Sequence, residues 1–264
     1  MSYVGNREKI VVFDLDETLG NFAELGMFWD SLENYYGYKL PDADFNELVD
    51  MFPGFLRPGI IDIIRYLIHK RDKNKCSSLM IYTNNQGPKR WVRLISRYFD
   101  SKLQVKTFDR IIEAFKVRGR VVEVSRTSHK KSVDDLIRCT KINPSTEICF
   151  LDDQYHPLMK HDNVYYINVS PYHYGIPYQE MATTYYDKKK LLEDKGEFVG
   201  TLVKCMNKYD HTVYDKSPNE VNVDSVISKK IILHLEEFFN KDKRKNSTKR
   251  IRRRNRKTRK QTDN

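Results

Sequence analysis

The chain has 264 residues, 39% hydrophobic and 12% aromatic, which is enough apolar material for one sizeable core. No apolar run approaches the roughly 20 residues that span a bilayer, and the polar start lacks the apolar middle of a secretion signal, so the composition excludes a membrane partner and predicts a soluble, intracellular protein. The net charge of +11 is localised: the last 24 residues carry 13 Lys and Arg against 2 Asp, and the first 240 are neutral overall.

Taken in chain order, Lys9 to Asp14 reads as a buried strand, Ile-Val-Val-Phe between polar residues. Residues 21–56 hold scattered aromatics (Phe22, Phe28, Trp29, Tyr35, Tyr36) and predict one or two short helices. Arg57-Pro58-Gly59 opens a helix, because proline suits a first turn and Ile60, Ile61, Ile64, Leu67 and Ile68 recur at helical spacing. Ser77 to Thr83 is a second buried strand. A helix after Gly87-Pro88 carries Trp91, Leu94, Ile95 and Phe99. The stretch 104–124 is weaker and suits short strands. Lys131 to Cys139 reads as a helix, Glu147 to Leu151 as a third strand ending in Asp152-Asp153, and Asn163 to Val169 as a fourth. A final helical pattern over about 224–239 puts Ile227, Ile231, Leu235 and Phe238 on one stripe that should dock on the body.

Strands alternating with helices imply an α/β fold, a Rossmann-like parallel sheet with helices on both faces. The expected organisation is a main domain over 1–186 with a small insertion at about 21–56, a helical extension over 187–240, and a basic tail over 241–264. With one aliphatic residue, Ile251, and no aromatic, that tail is expected to be disordered. Cys76, Cys139, Cys149 and Cys205 are scattered, with no pair at metal-binding or redox spacing, and read as reduced structural thiols. There is no internal repeat and no GxxxxGK[ST] loop.

In such sheets ligands gather at the carboxyl ends of the strands, and the polar clusters fall there: Asp14 and Asp16 after the first strand, Thr83 after the second, Asp152 and Asp153 after the third. Asp14 suits a carboxylate nucleophile, and Asp16, two residues on, a general acid and base. A carboxylate attacking an anionic phosphate needs its repulsion cancelled, and Mg2+, a hard cation that prefers oxygen, does this. Thr83 with the amides that follow it, and Lys130 or Lys131, suit phosphate oxygens. Adjacent Asp152 and Asp153 repel each other without a cation nearby, which favours a metal arm.

The order Asp14-x-Asp16-x-Thr18, Thr83, Lys131, Asp152-Asp153 resembles the four motifs of the haloacid dehalogenase superfamily. Phe-Asp-Leu-Asp-Glu-Thr-Leu, Leu-Arg-Pro-Gly at 56–59 and the later Tyr-His-Tyr are similar to the phosphatases that act on the RNA polymerase II C-terminal domain and their small relatives. The resemblance spans about residues 8 to 175. It implies Asp14 as nucleophile and Mg2+ ligand, and Asp16 as acid/base and metal ligand through its carbonyl. Thr83, Asn84 and Lys131 would grip the phosphoryl group, with Lys130 a rival for Lys131. Asp153 would be the direct metal ligand and Asp152 its support. The substrate so implied is a phosphoserine or phosphothreonine protein. The continuation Thr83-Asn84-Asn85-Gln86-Gly87 is instead similar to polynucleotide 3′-phosphatases of the same superfamily, and a non-catalytic nucleic-acid-binding scaffold is a third reading. The short spacings leave no room for a large cap, so an open site and a bulky polymeric substrate are expected.

The basic run from Lys249 to Lys260 is dense enough to bind nucleic acid and equally suits a nuclear import signal; it resembles tails found on proteins of large DNA viruses. Tyrosines crowd at 155, 165, 166, 172, 174, 178, 185 and 186, where packing beside the site competes with stacking on bases.

Overall fold

The computed structural model describes residues 7–259. Strand β1 (Lys9–Phe13) leads through a loop to helices α1 (Ala23–Tyr36), α2 (Asp42–Met51) and α3 (Ile60–Asp72), then to β2 (Ser78–Tyr82), α4 (Lys89–Leu103) and β3 (Arg110–Ile112). A hairpin of β4 (Lys116–Val117) and β5 (Arg120–Val121) follows, then α5 (Val133–Thr140), β6 (Glu147–Asp152), β7 (Val164–Asn168), α6 (Tyr178–Lys189), α7 (Lys195–Met206) and α8 (Pro218–Arg259).

The main sheet runs β3-β2-β1-β6-β7, with every pair parallel. Its alternation of faces follows directly from the strand sequences. Val11, Phe13, Leu79, Ile81, Cys149 and Leu151 point into a large core shared with α1, α2, α3, α4, α6, α7 and α8. Ile10, Val12, Met80, Tyr82, Ile148 and Phe150 point the other way, into a thinner layer covered by Val133, Leu136 and Cys139 of α5 and by Met159. Both faces are helix-covered, as the uninterrupted apolar strands require, but unequally.

The insertion at 21–56 is α1 and α2, and it is built into the large core through Leu25, Phe28, Trp29, Leu32, Phe45 and Leu48. The extension joins the same core through Phe198 and Leu202 of α7 and through Ile231, Leu235 and Phe238 of α8, with Ile227 half-buried beside them. The docked part also includes Phe239, which packs against Tyr66. The backbone of α8 continues to Arg259 through most of the segment read as an unfolded tail; the side chains of 242–259 are undescribed, and residues 260–264 lie outside the described residues. Among the described residues, no helix is long and apolar enough to cross a membrane. The four cysteines form no disulfide, and Cys76, Cys139 and Cys149 are buried.

Two boundaries differ from the sequence reading. The helix expected to open at Arg57 begins at Ile60, because Gly59 takes a left-handed conformation (φ 74°) before it. The helix expected from Lys131 begins at Val133, where the Ser132 hydroxyl accepts from the Asp135 amide at 3.1 Å and caps the first turn. That leaves Lys131 in extended approach to the helix rather than on it. The stretch 104–124 holds β3 and the β4-β5 hairpin.

Candidate active site

The first loop is built to leave β1 abruptly. The Asp14 amide still bonds the Leu151 carbonyl at 2.8 Å, as a continuation of the sheet. Glu17 then adopts a left-handed conformation (φ 57°), and its amide bonds the Gly20 carbonyl at 2.7 Å. Gly20 bridges both Asp16 and Leu56. A Cβ there would lie 2.3 Å from the Phe55 carbonyl oxygen, so only glycine fits this approach. Arg57 locks the loop from below. Its buried guanidinium donates to the carbonyls of Thr18 (2.7 Å), Glu17 (2.5 Å) and Ser170 (2.8 Å). The Leu-Arg-Pro-Gly segment thus acts through main-chain oxygens, two of them in the loop after β1.

Asp14, Asp152 and Asp153 each bring a carboxylate oxygen to within 4.8 Å of the others. Lys131 is 2% exposed and reaches Asp14 Oδ1 at 2.5 Å and Asp152 Oδ2 at 2.7 Å, between the rings of Tyr82 and Phe150. Lys130 is exposed, so the choice between the two lysines falls on Lys131. Asp152 is completely buried and already satisfied: besides Lys131, it accepts from the Gln154 amide at 2.8 Å, and His156 Nε2 lies 3.3 Å away. Asp153 is half-buried and lines the cavity; it accepts from the Thr18 hydroxyl at 3.1 Å. Asp153 thus faces the cavity, and Asp152 lies behind it.

Asp16 stands outside this trio, and its carboxylate accepts from Asn85 Nδ2 at 2.8 Å. Thr83 follows β2, and its amide is bonded to the Ile112 carbonyl at 3.0 Å. The Asn85 amide bonds the Thr83 hydroxyl oxygen at 3.0 Å, and the Gly87 amide bonds Asn85 Oδ1 at 2.8 Å. The hydroxyl proton of Thr83, the main-chain amides of Asn84 and Gln86 and the side-chain amide of Asn84 are among the donors left in this loop. The Asn84 side-chain oxygen accepts from Arg126 Nη2 at 2.8 Å. Arg126 is itself buried over the Tyr82 ring and also binds the Thr83 and Glu113 carbonyls at 3.1 and 2.9 Å.

A cavity of about 290 Å³ is lined by Asp14, Asp16, Thr83, Asn84, Lys131 and Asp153, with Glu17, Asn85, Gln86, Gln154 and His156, while Asp152 and Arg126 stand outside its lining. The sequence reading missed Asn85, Arg126 and His156. Asn85 sits two residues after Thr83, as Asp16 does after Asp14, and that matched spacing from neighbouring strand ends was a usable signal. Arg126 had none: it is one arginine in a polar loop, acting on carbonyls far away in sequence.

The electrostatics follow from burial of several carboxylates around one lysine. Burial pushes the Asp14 carboxyl up to about 7, with Lys131 opposing and Asp152 adding to the rise. Burial also raises Asp16, against the hydrogen bond from Asn85, and raises Asp153, helped by the charge of Asp152. Asp152 goes the other way: burial would raise it, but His156 and Lys131 together hold it below the usual range. Neighbouring carboxylates pushed apart in this way are a mark of functional sites.

The donor set suits a hard divalent cation: the clustered ligands are all carboxylate oxygens, and one cation would offset the burial and, after it, the repulsion from Asp152 that raise Asp14 and Asp153. Binding should therefore expel a proton. With Asp14 near 7, calorimetric titration with Mg2+ should give an affinity about tenfold weaker at pH 6 than at pH 8, because the carboxylate is mostly protonated at the lower pH. An affinity that does not change over that interval would place the ion away from Asp14.

Comparison of this chain with family models, with curated proteins and with solved structures gave no match in any of the three.

Proposed function

We propose that the protein is a Mg2+-dependent phosphatase of the haloacid dehalogenase type, hydrolysing a phosphomonoester through Asp14. The observation that carries this reading is the convergence of Asp14, Asp16, Thr83, Lys131 and Asp153, from four separate stretches of chain, on one open cavity.

Asp14 Oδ attacks phosphorus, and the ester P–O bond breaks as the aspartyl-phosphate forms. Asp16 gives its proton to the departing oxygen. Burial raises its pKa, the direction that favours the proton-bearing form such a role uses. Asp16 then takes a proton from water, whose oxygen attacks the aspartyl-phosphate and frees inorganic phosphate and Asp14. Lys131, the Thr83 hydroxyl and the Asn84 amide are placed to hold phosphoryl oxygens, and Arg126 keeps that loop in position. Asp14, Asp153 and the Asp16 carbonyl would hold Mg2+, with Asp152 behind them; when bound, it neutralises charge between the nucleophile and the phosphate.

The test is release of inorganic phosphate from an aryl phosphate, with and without Mg2+. Activity that requires the metal is expected; a metal-independent or absent reaction overturns the reading in favour of a scaffold. Extending the panel separates a phosphoserine or phosphothreonine protein, suggested by the first motif and Leu56-Arg57-Pro58-Gly59, from a 3′-phosphorylated strand, suggested by Thr83-Asn84-Asn85-Gln86-Gly87.

A further inference from the structure

A second cavity, of about 340 Å³, adjoins the first and shares Asn85 and Gln86 with it. Its apolar lining comes from Pro88, Val92, Ala114, Val117 and Val122, and it also carries Arg118 and Arg120 of the β4-β5 hairpin. The hairpin turns at Arg118 and Gly119, both with left-handed backbone (φ 49° and 79°), and it leaves the two arginines exposed. Among the described residues, neither arginine pairs with a carboxylate. The acidic residue of the lining, Glu113, is engaged by Arg93 at 3.8 Å. Near the Asp14 cavity, Tyr155 lies between the lining residues Gln154 and His156 and is 59% exposed, whereas Tyr172, Tyr178 and Tyr185 are buried and serve as packing.

We propose that the second cavity is the subsite for the nucleotide next to the scissile phosphate, and that the substrate is the phosphorylated end of a single-stranded nucleic acid. This rests on the phosphatase reading of the Asp14 site. The chemistry of the lining selects the ligand. Apolar walls suit the face of a base, and exposed Tyr155 offers a second stacking surface. Two arginines without acidic partners suit an anion that lies one residue further along. A nucleic acid supplies an anion at every residue; a phosphoprotein need supply only the one being removed. The +11 carried by the final 24 residues acts in the same direction, drawing a polyanion to an otherwise neutral body.

The experiment compares kcat/KM for short 3′- and 5′-phosphorylated oligothymidylates, the matching thymidine monophosphates, a phosphoserine peptide and p-nitrophenyl phosphate, in the wild-type chain and in the double variant Arg118→Glu, Arg120→Glu. At least one phosphorylated strand should exceed its mononucleotide by about tenfold or more, a gain typical of added stacking and phosphate contacts. The double variant should lose about tenfold more on that strand than on the aryl phosphate, mainly through KM, and the dependence on salt should flatten. Strand and mononucleotide turned over equally, the phosphopeptide preferred, or a loss common to all substrates would each overturn the subsite. If the aryl phosphate itself is not cleaved, the phosphatase reading fails. Affinity for a fluorescent strand then decides the subsite alone: weakening in the double variant supports it, and an unchanged affinity overturns it.

Discussion

Replacing Asp14 by Asn should abolish phosphate release while leaving the fold at least as stable. Loss of a nucleophile that acts with the rest of its site costs on the order of 10⁴-fold or more in kcat, and the aryl phosphate assay would read this directly. The stability half follows from linkage. The Asp14 carboxyl titrates near 7 when folded, against 3.8 ordinarily, so the folded state binds the extra proton between those values. Its contribution is therefore most favourable below pH 3.8 and is lost as pH rises through 7. At pH 8 with chelator present, the ionised carboxylate weighs against folding, and a neutral amide of the same shape does not. The Asp14→Asn melting temperature should then match or exceed the wild type, by about 3 °C for each kcal/mol relieved in a chain of this size. A variant that melts well below wild type at pH 8 would mean that the Lys131 contact outweighs burial. Adding Mg2+ should reverse the order, because the wild type alone keeps its full ligand set.

Lys131→Met carries the second large effect. The ammonium is the cation that faces both Asp14 and Asp152 at the centre of the site. Without it, a completely buried Asp152 and a nearly buried Asp14 confront each other, and breaking a buried pair from one side typically costs about 3–5 kcal/mol. Thermal or urea unfolding should show a loss of that order at pH 8, and phosphate release should vanish. The deficit should shrink as pH falls towards 7, because without Lys131, which lowers the Asp14 pKa, the variant takes up its proton before the wild type does. Lys130→Met is the matched control: that side chain is exposed, and its removal should change stability by less than about 0.5 kcal/mol. Equal losses in the two variants would refute the assignment of Lys131.

The main strands and the placing of Asp14, Thr83 and Asp152 at their ends were legible because a doubly covered parallel strand writes itself as an apolar run with a polar stop. Val11 to Phe13, Leu79 to Tyr82 and Ile148 to Leu151 all do so. The lysine was not legible. Lys130 and Lys131 are adjacent, and which one turns inward depends on the Tyr82 and Phe150 rings that receive it and on Ser132 capping α5 immediately afterwards. The cap itself could have been read: Ser132 followed three residues later by Asp135 is a helix-start pattern, and it moves the boundary off Lys131. Arg57 was visible as a motif but not as a mechanism, since its partners are the carbonyls of Glu17, Thr18 and Ser170, and main-chain acceptors leave no mark in a sequence. The placing of α1 and α2 was obscured for another reason. Their apolar residues serve packing against α4 and α7, a tertiary demand that local spacing does not encode.

The unequal cover of the sheet gives the site a stability of its own. Lys131 is joined through one residue to α5, an eight-residue helix that supplies most of the thin layer over Val12, Tyr82 and Phe150. The other carboxylate-bearing loops are anchored to the thick side through Arg57 and the long helices. Detachment of α5 exposes far less apolar surface than unfolding of the whole, so it lies lower on the ladder of partial openings. Each such excursion withdraws the Lys131 ammonium from Asp14 and Asp152 while the rest of the chain stays folded. Whatever binds across both sides of the cavity, cation or phosphate, closes that seam, and its binding energy would appear as slowed amide exchange in α5 well before any change in global melting.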